Sequence, residues 1–167
     1  FEFMPFLFLR EPIEQIMAQY ESPDIACFSS SIWNHQLSLK IARLVKEKYP
    51  NCLIVFGGPQ VPITSYIGDQ YPFIDVAVFG EGERVFKNIL EDYLSGIPIK
   101  RETRKQNDAV LNLDDFPSPY TLGYFTYLLT KHPDMEFKAI METNRSCPFK
   151  CSFCFWGQSD LNKKITH

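Results

Sequence analysis

The sequence predicts an open parallel α/β sheet over residues 1–96, then a connector over 97–135, then a new strand that opens at residue 136. Three observations predict this. Short apolar runs at 25–28, 52–56 and 74–79 alternate with helix-periodic stretches. Each run ends in small residues, SSS, GGP and GEG. Residues 97–135 then lose all sustained period before EFKAIMET opens a fresh run. Strands and helices alternating at this spacing imply parallel pairing through right-handed crossovers, with helices on both faces.

The elements follow in order. PIEQIMAQY places Ile13, Ile16, Met17 and Tyr20 on one helical stripe, with Pro12 suited to a first turn. The run IACF, after SPD, is too short and too apolar for a surface helix and reads as a strand buried on both faces. Asn34 has the chemistry of a helix cap, and Leu37, Ile41, Leu44 and Val45 keep helical spacing behind it to Tyr49. Pro50 and Asn51 end that helix. CLIVF and IDVAVF are the next two strands, and Val85, Phe86, Ile89, Leu90 and Tyr93 mark the inner face of a helix closed by Gly96.

The connector includes KRETRK, a charged stretch that reads as a solvated loop, and LDDFPSPY, a turn followed by an extended segment. Asp114 and Asp115 are adjacent in that turn and are not expected to face one site. EFKAIMET is expected to be a strand.

Composition narrows the function. Hydrophobic residues make up 45% and charged residues 22%, as in ordinary globular chains. The net charge of -3, with no basic stripe, gives no sign of nucleic-acid binding. The opening FEFMPFLFL is apolar but too short for a membrane span, which needs about 20 residues. It has no basic flank to make it a secretory signal, so a cytoplasmic protein is expected. The chain starts with Phe and is read as a fragment of a longer one.

Ligands of open α/β sheets sit at the carboxyl ends of the strands. Here those ends carry Ser29, Ser30 and Ser31, then Gly57, Gly58 and Pro59, then Gly80, Glu81, Gly82 and Glu83. Small loops side by side make a shallow platform; the plainer reading is three tight turns. GEGE is not a phosphate cradle, since its carboxylates repel a pyrophosphate.

Five cysteines are present. Cys27 and Cys52 lie in apolar runs and are expected to be buried. Cys147, Cys151 and Cys154 form C-x-x-x-C-x-x-C in NRSCPFKCSFCFW. A structural zinc site wants four ligands, and the candidate fourth, His167, stands at the chain's end. Dithiol redox chemistry leaves Cys147 without a purpose. An iron–sulfur cubane fits better: three thiolates hold three irons and leave the fourth open, with Pro148 and Phe149 stiffening the loop and Phe153 and Phe155 shielding the last ligand.

The motif CPFKCSFC resembles the radical S-adenosylmethionine signature, C-x-x-x-C-x-aromatic-C. ETNRSCP before it, C-x-W-G after it, and PDIACFSSSIWN, IVFGGPQVP and DVAVFGEGE further upstream resemble the subgroup with an N-terminal cobalamin-binding domain. Ser146 stands where that subgroup often has Gly, and Phe155 where Asp is common. The resemblance implies a Rossmann-like sheet of the cobalamin-binding type over residues 1–96, and over 136–167 the start of a truncated radical barrel.

It also implies cofactors. Cys147, Cys151 and Cys154 would ligate a 4Fe-4S cluster whose open iron binds S-adenosyl-L-methionine, with Phe153 near the adenine. Reductive cleavage would give methionine and a 5′-deoxyadenosyl radical that takes hydrogen from an unreactive carbon, and cobalamin would deliver a methyl group there. The D-x-H-x-x-G cobalt-binding motif is absent: neither His35 nor His132 has the required Asp and Gly, and His35 is expected at the surface or in a cap. The resemblance therefore implies a corrin bound without histidine, its lower face over Ser30, Ser31, Trp33 and Asn34 and its nucleotide tail near Gly57, Gly58 and Gly82. Trp33 has a packing reading as well. Implied partners are a small-molecule or peptide substrate and an electron donor such as flavodoxin or ferredoxin. Two other readings stay open: a radical enzyme whose sheet has lost the corrin, and a non-catalytic zinc-binding or interaction module.

Overall fold

A computed structural model describes residues 1–106, 112–142, 145, 149 and 151–154. It divides into two compact units, Phe1–Asn107 and Asp108–His167.

The first unit is built on four parallel strands in the order β1 (Ile25–Ser29), β2 (Leu53–Gly57), β3 (Val76–Phe79) and β4 (Glu102–Lys105). Ser29 pairs with Gly57 and Gly57 with Val78, so the carboxyl ends of the first three strands share one edge of the sheet. Side chains alternate between the two faces. Ala26, Ile54, Phe56 and Ala77 meet Ile16 of helix α1 (Ile13–Ala18) and Leu39, Ala42 and Val45 of α2 (His35–Lys48). Val55, Val76 and Val78 meet Val85 and Ile89 of α3 (Glu83–Leu94) on the other side. The expected helices on both faces are therefore present. The β2–β3 connection carries only a 3-10 turn, Ile67–Asp69, tied down by Tyr66, whose single hydroxyl proton is shared between the Ile74 and Asp75 carbonyls, 2.6 and 2.7 Å away.

The opposite edge of the sheet is fixed by a charge pair. Lys46 Nζ lies 2.8 Å from Asp75 Oδ2, and that same oxygen accepts the Ile54 amide at 2.8 Å. Lys46 also donates to the Cys52 carbonyl. The bridge thereby ties α2 to the starts of β2 and β3.

Three expectations are corrected. KRETRK is not a loop: it contains β4, which pairs with β3 from Val76↔Glu102 to Phe79↔Lys105. Its charges hid it, because an outer strand tolerates polar side chains that an inner one cannot; Arg104 bridges Asp92 at 2.7 Å and Glu102 at 3.1 Å. Cys27 is exposed, whereas Cys52 is buried as expected. Cys27 alternates with Ala26 and Phe28 on the outer strand β1, so it points away from the α2 core.

The third correction lies in the second unit. Residues 136–142 do not form a strand. A strand needs a neighbour to bond, and here the Tyr120 hydroxyl meets Ile140 instead, accepting its amide at 3.0 Å and donating to its carbonyl at 3.2 Å. That unit also contains α4 (Thr126–Lys131), inside the predicted connector, and a 3-10 turn, Leu113–Asp115, whose Asp114 amide donates to Asn112 Oδ1 at 3.1 Å. Among the described residues no helix is long and apolar enough to cross a membrane.

Candidate cofactor platform and cysteine loop

The loop after β1 is built from its polar groups. The Ser30 amide donates to the Gly57 carbonyl at 2.7 Å, and the Ser30 carbonyl accepts the Gln60 amide at 3.0 Å. The β1–β2 pairing thus continues beyond both strands. Ser30 is fully buried, and its hydroxyl makes a 2.7 Å hydrogen bond with His35 Nδ1. The His35 ring in turn stands edge-on to Tyr71, with centroids 6.5 Å apart. Ser30 therefore anchors the loop from beneath, and His35 serves as its partner at the start of α2.

Asn34 occupies the cap position of α2, but its side chain caps no helical amide. Its carboxamide closes the loop instead: Oδ1 accepts the Ser31 amide at 2.7 Å and Nδ2 donates to the Ser29 carbonyl at 2.8 Å. At the apex, Ile32 is 80% and Trp33 71% exposed. Trp33 is therefore not ordinary packing within the first unit. Arg10 reaches the apex from outside the loop, its Nη2 donating to the Trp33 carbonyl at 2.6 Å.

The neighbouring loops leave room above the sheet. A Cβ on Gly57 would meet nothing within 4 Å. Gly58 has φ +106°, and a Cβ there would lie 2.7 Å from the Ser30 carbonyl oxygen, so only glycine fits. Gly80 turns the third loop at φ +75° with open space around it. Gly82 sits at the cap of α3, its would-be Cβ 3.4 Å from Val78. The structure thus brings Ser30, Ser31, Trp33, Asn34, Gly57 and Gly58 to one edge. Open backbone at Gly57 and an exposed Trp33 are the features there that could receive a flat cofactor.

No sequence signal points to Arg10 or Gln60. Arg10 precedes Trp33 by 23 residues and belongs to no motif. Gln60 acts only through its backbone amide, which any residue but proline would supply.

The cysteine loop is described in part. Cys151 is exposed and Cys154 half-buried, and the Cys154 amide donates to the Cys151 carbonyl at 3.0 Å, closing a tight turn across C-x-x-C. Phe153, within that turn, is 91% exposed. Arg145, just upstream, bridges Glu142 at 2.9 Å. Cys147, Phe155 and His167 lie outside the described residues. The two described thiols have the chemistry of iron–sulfur ligands, and the turn leaves Cys151 open to a ligand.

Residues 4–90 match the B12 binding domain family. The chain is 34% identical to the cobalamin-dependent radical SAM methyltransferase TokK of Streptomyces tokunonensis, over 97% of this chain and 26% of that protein. It is 33% identical to the 2-(S-pantetheinyl)-carbapenam-3-carboxylate methyltransferase of Streptantibioticus cattleyicolor, again over 97% of this chain and 26% of that protein. It is 30% identical to an anaerobic magnesium-protoporphyrin IX monomethyl ester cyclase of Cereibacter sphaeroides, over 80% of this chain and 25% of that one. The chain thus spans about a quarter of the length of these relatives. The chain belongs to the family of proteins with a B12 binding domain, and over nearly its whole length it is similar to two proteins named as methyltransferases, one of them a cobalamin-dependent radical SAM enzyme.

Proposed function

We propose that this chain is the cofactor-binding portion of a cobalamin-dependent radical SAM enzyme that methylates an unactivated carbon of a small-molecule or peptide substrate. The observation that carries this reading is the strand-end platform, with open space at Gly57 and an exposed Trp33 in the adjoining loop, in a chain that matches the B12 binding domain and is similar to a protein named as a cobalamin-dependent radical SAM methyltransferase.

In this reading the protein groups have separate tasks. Gly57, Gly58 and Gly82 keep side chains away from the nucleotide tail, so that the ligand can approach backbone. Trp33 presents an apolar surface to the lower corrin face and excludes water there. Ser30, Ser31 and Asn34 hold that loop through the bonds described above. Cys147, Cys151 and Cys154 are the thiolate ligands of a 4Fe-4S cluster, and Phe153 flanks the adenine of S-adenosyl-L-methionine. Together these cofactors supply one-electron cleavage of a sulfonium carbon–sulfur bond and a transferable methyl group. An external electron donor such as flavodoxin or ferredoxin is required, and a cytoplasmic setting fits this chemistry.

Anaerobic reconstitution of the full-length protein tests it. Four irons, matching sulfide and one corrin per chain are expected, with iron lost in Cys151→Ala. Iron without corrin would refute the cobalamin half of the reading. Colourless protein with bound zinc would refute the whole.

A further inference from the structure

We infer that Arg10 is a positioning residue that fixes how Trp33 is presented at the platform; the inference rests on the cobalamin reading above. The base of the loop is held without Arg10, through Ser30 on Gly57 and Gln60 and through Asn34 on Ser29 and Ser31. The Asn34 and His35 amides also donate to the Ser31 carbonyl, at 3.1 and 2.9 Å, which closes a backbone turn under Ile32 and Trp33 but ties it only to the loop itself. Packing does not hold these residues, since they are 80% and 71% exposed. Among the described residues, the 2.6 Å bond from Arg10 Nη2 to the Trp33 carbonyl ties the apex to the body of the domain.

The tether has a fixed origin. Arg10 stands three residues before α1 (Ile13–Ala18), and Ile16 of that helix is 5% exposed in the core. A guanidinium donating to a carbonyl makes a charge-assisted bond, stronger than a neutral one. The Trp33 carbonyl and the Asn34 amide belong to one planar peptide unit. Asn34 ties that unit to the loop, and Arg10 ties it to the segment before α1, so the backbone that carries the indole is restrained from both sides. A flat ligand stacked on that indole would bind more weakly if the apex had to be ordered on binding. Arg10 thus acts through Trp33, without any need to touch the ligand.

The experiment uses the full-length protein labelled with 5-fluorotryptophan, the Trp33 resonance being assigned by its loss in Trp33→Phe. In corrin-free protein, Arg10→Ala should shift or broaden that resonance while leaving the melting temperature unchanged, and Arg10→Lys, which keeps a cationic donor, should restore much of it. Titration with hydroxocobalamin should show Kd raised about tenfold in Arg10→Ala. Trp33→Ala should raise Kd at least as much, and the double variant no further than Trp33→Ala alone. An unchanged Trp33 resonance in Arg10→Ala, or effects of the two substitutions that multiply, would overturn the inference. Wild-type protein that takes up no corrin would instead refute the cobalamin reading, and the fluorine spectrum would still decide whether Arg10 holds Trp33.

Discussion

The Ser30 carbonyl oxygen fills the space that a side chain on Gly58 would need: a Cβ there would stand 2.7 Å from it. The contact is backbone to backbone, so neither partner can move aside without breaking the loop pairing at Gly57 and Gln60. Gly58→Ala should therefore cost about 2 kcal/mol or more, combining the clash with the strain of φ +106°. Gly80→Ala carries only the strain, at φ +75° in open space, and should cost about 1 kcal/mol. Urea unfolding of the two variants checks the order.

Gly57 separates stability from binding. Its missing side chain would enter open space above the sheet, and no left-handed backbone is involved. Gly57→Ala should change folding stability by less than about 1 kcal/mol, yet weaken hydroxocobalamin binding. Denaturation and corrin titration of the same variant test both halves.

Trp33 makes the same distinction through a larger group. At 71% exposure its removal leaves no cavity. Trp33→Ala should alter unfolding free energy by about 0.5 kcal/mol or less while reducing corrin affinity about tenfold or more. A large loss of stability would restore the packing reading.

The Lys46–Asp75 bridge lies at the other edge of the sheet and should be purely structural. Asp75→Ala leaves the Lys46 ammonium, 26% exposed, and the Ile54 amide without their shared acceptor. It should cost about 2 kcal/mol, less than a fully buried pair because water reaches both groups. Asp75→Asn keeps an oxygen acceptor and should cost less. Neither should change corrin affinity once the protein is folded.

Alkali should unfold the domain gradually. Burial pushes the Cys52 thiol up to about 11 from its usual 9, and the Tyr20 phenol up to about 12 from 10. The unfolded chain therefore releases these protons first. The stability due to their neutral forms is whole below pH 9 and is lost as pH rises from 9 to 12. Urea midpoints between pH 8 and pH 11 should fall, and Cys52→Ala should make the fall shallower.

The inner strands were legible because an apolar run of four to six residues ending in glycine is too short for a helix and must be buried on both faces. Strand β4 was not, since ETRK has the composition of a solvated loop and becomes a strand only beside β3. Residues 136–142 failed the other way: an apolar run predicts a strand only where a neighbour completes the ladder. The platform's glycines and serines could be read from their place after strands. The Asn34 clasp and the Arg10 tether could not, because their partners are backbone groups that only the folded loop brings within reach.

Equilibrium titration of full-length, oxygen-free protein with hydroxocobalamin, comparing wild type with Gly57→Val, tests the platform most directly. One corrin per chain for the wild type, and binding sharply reduced in a Gly57→Val variant that remains folded, is the predicted result. Equal corrin uptake by the two proteins would contradict the placement of the cofactor across these strand ends.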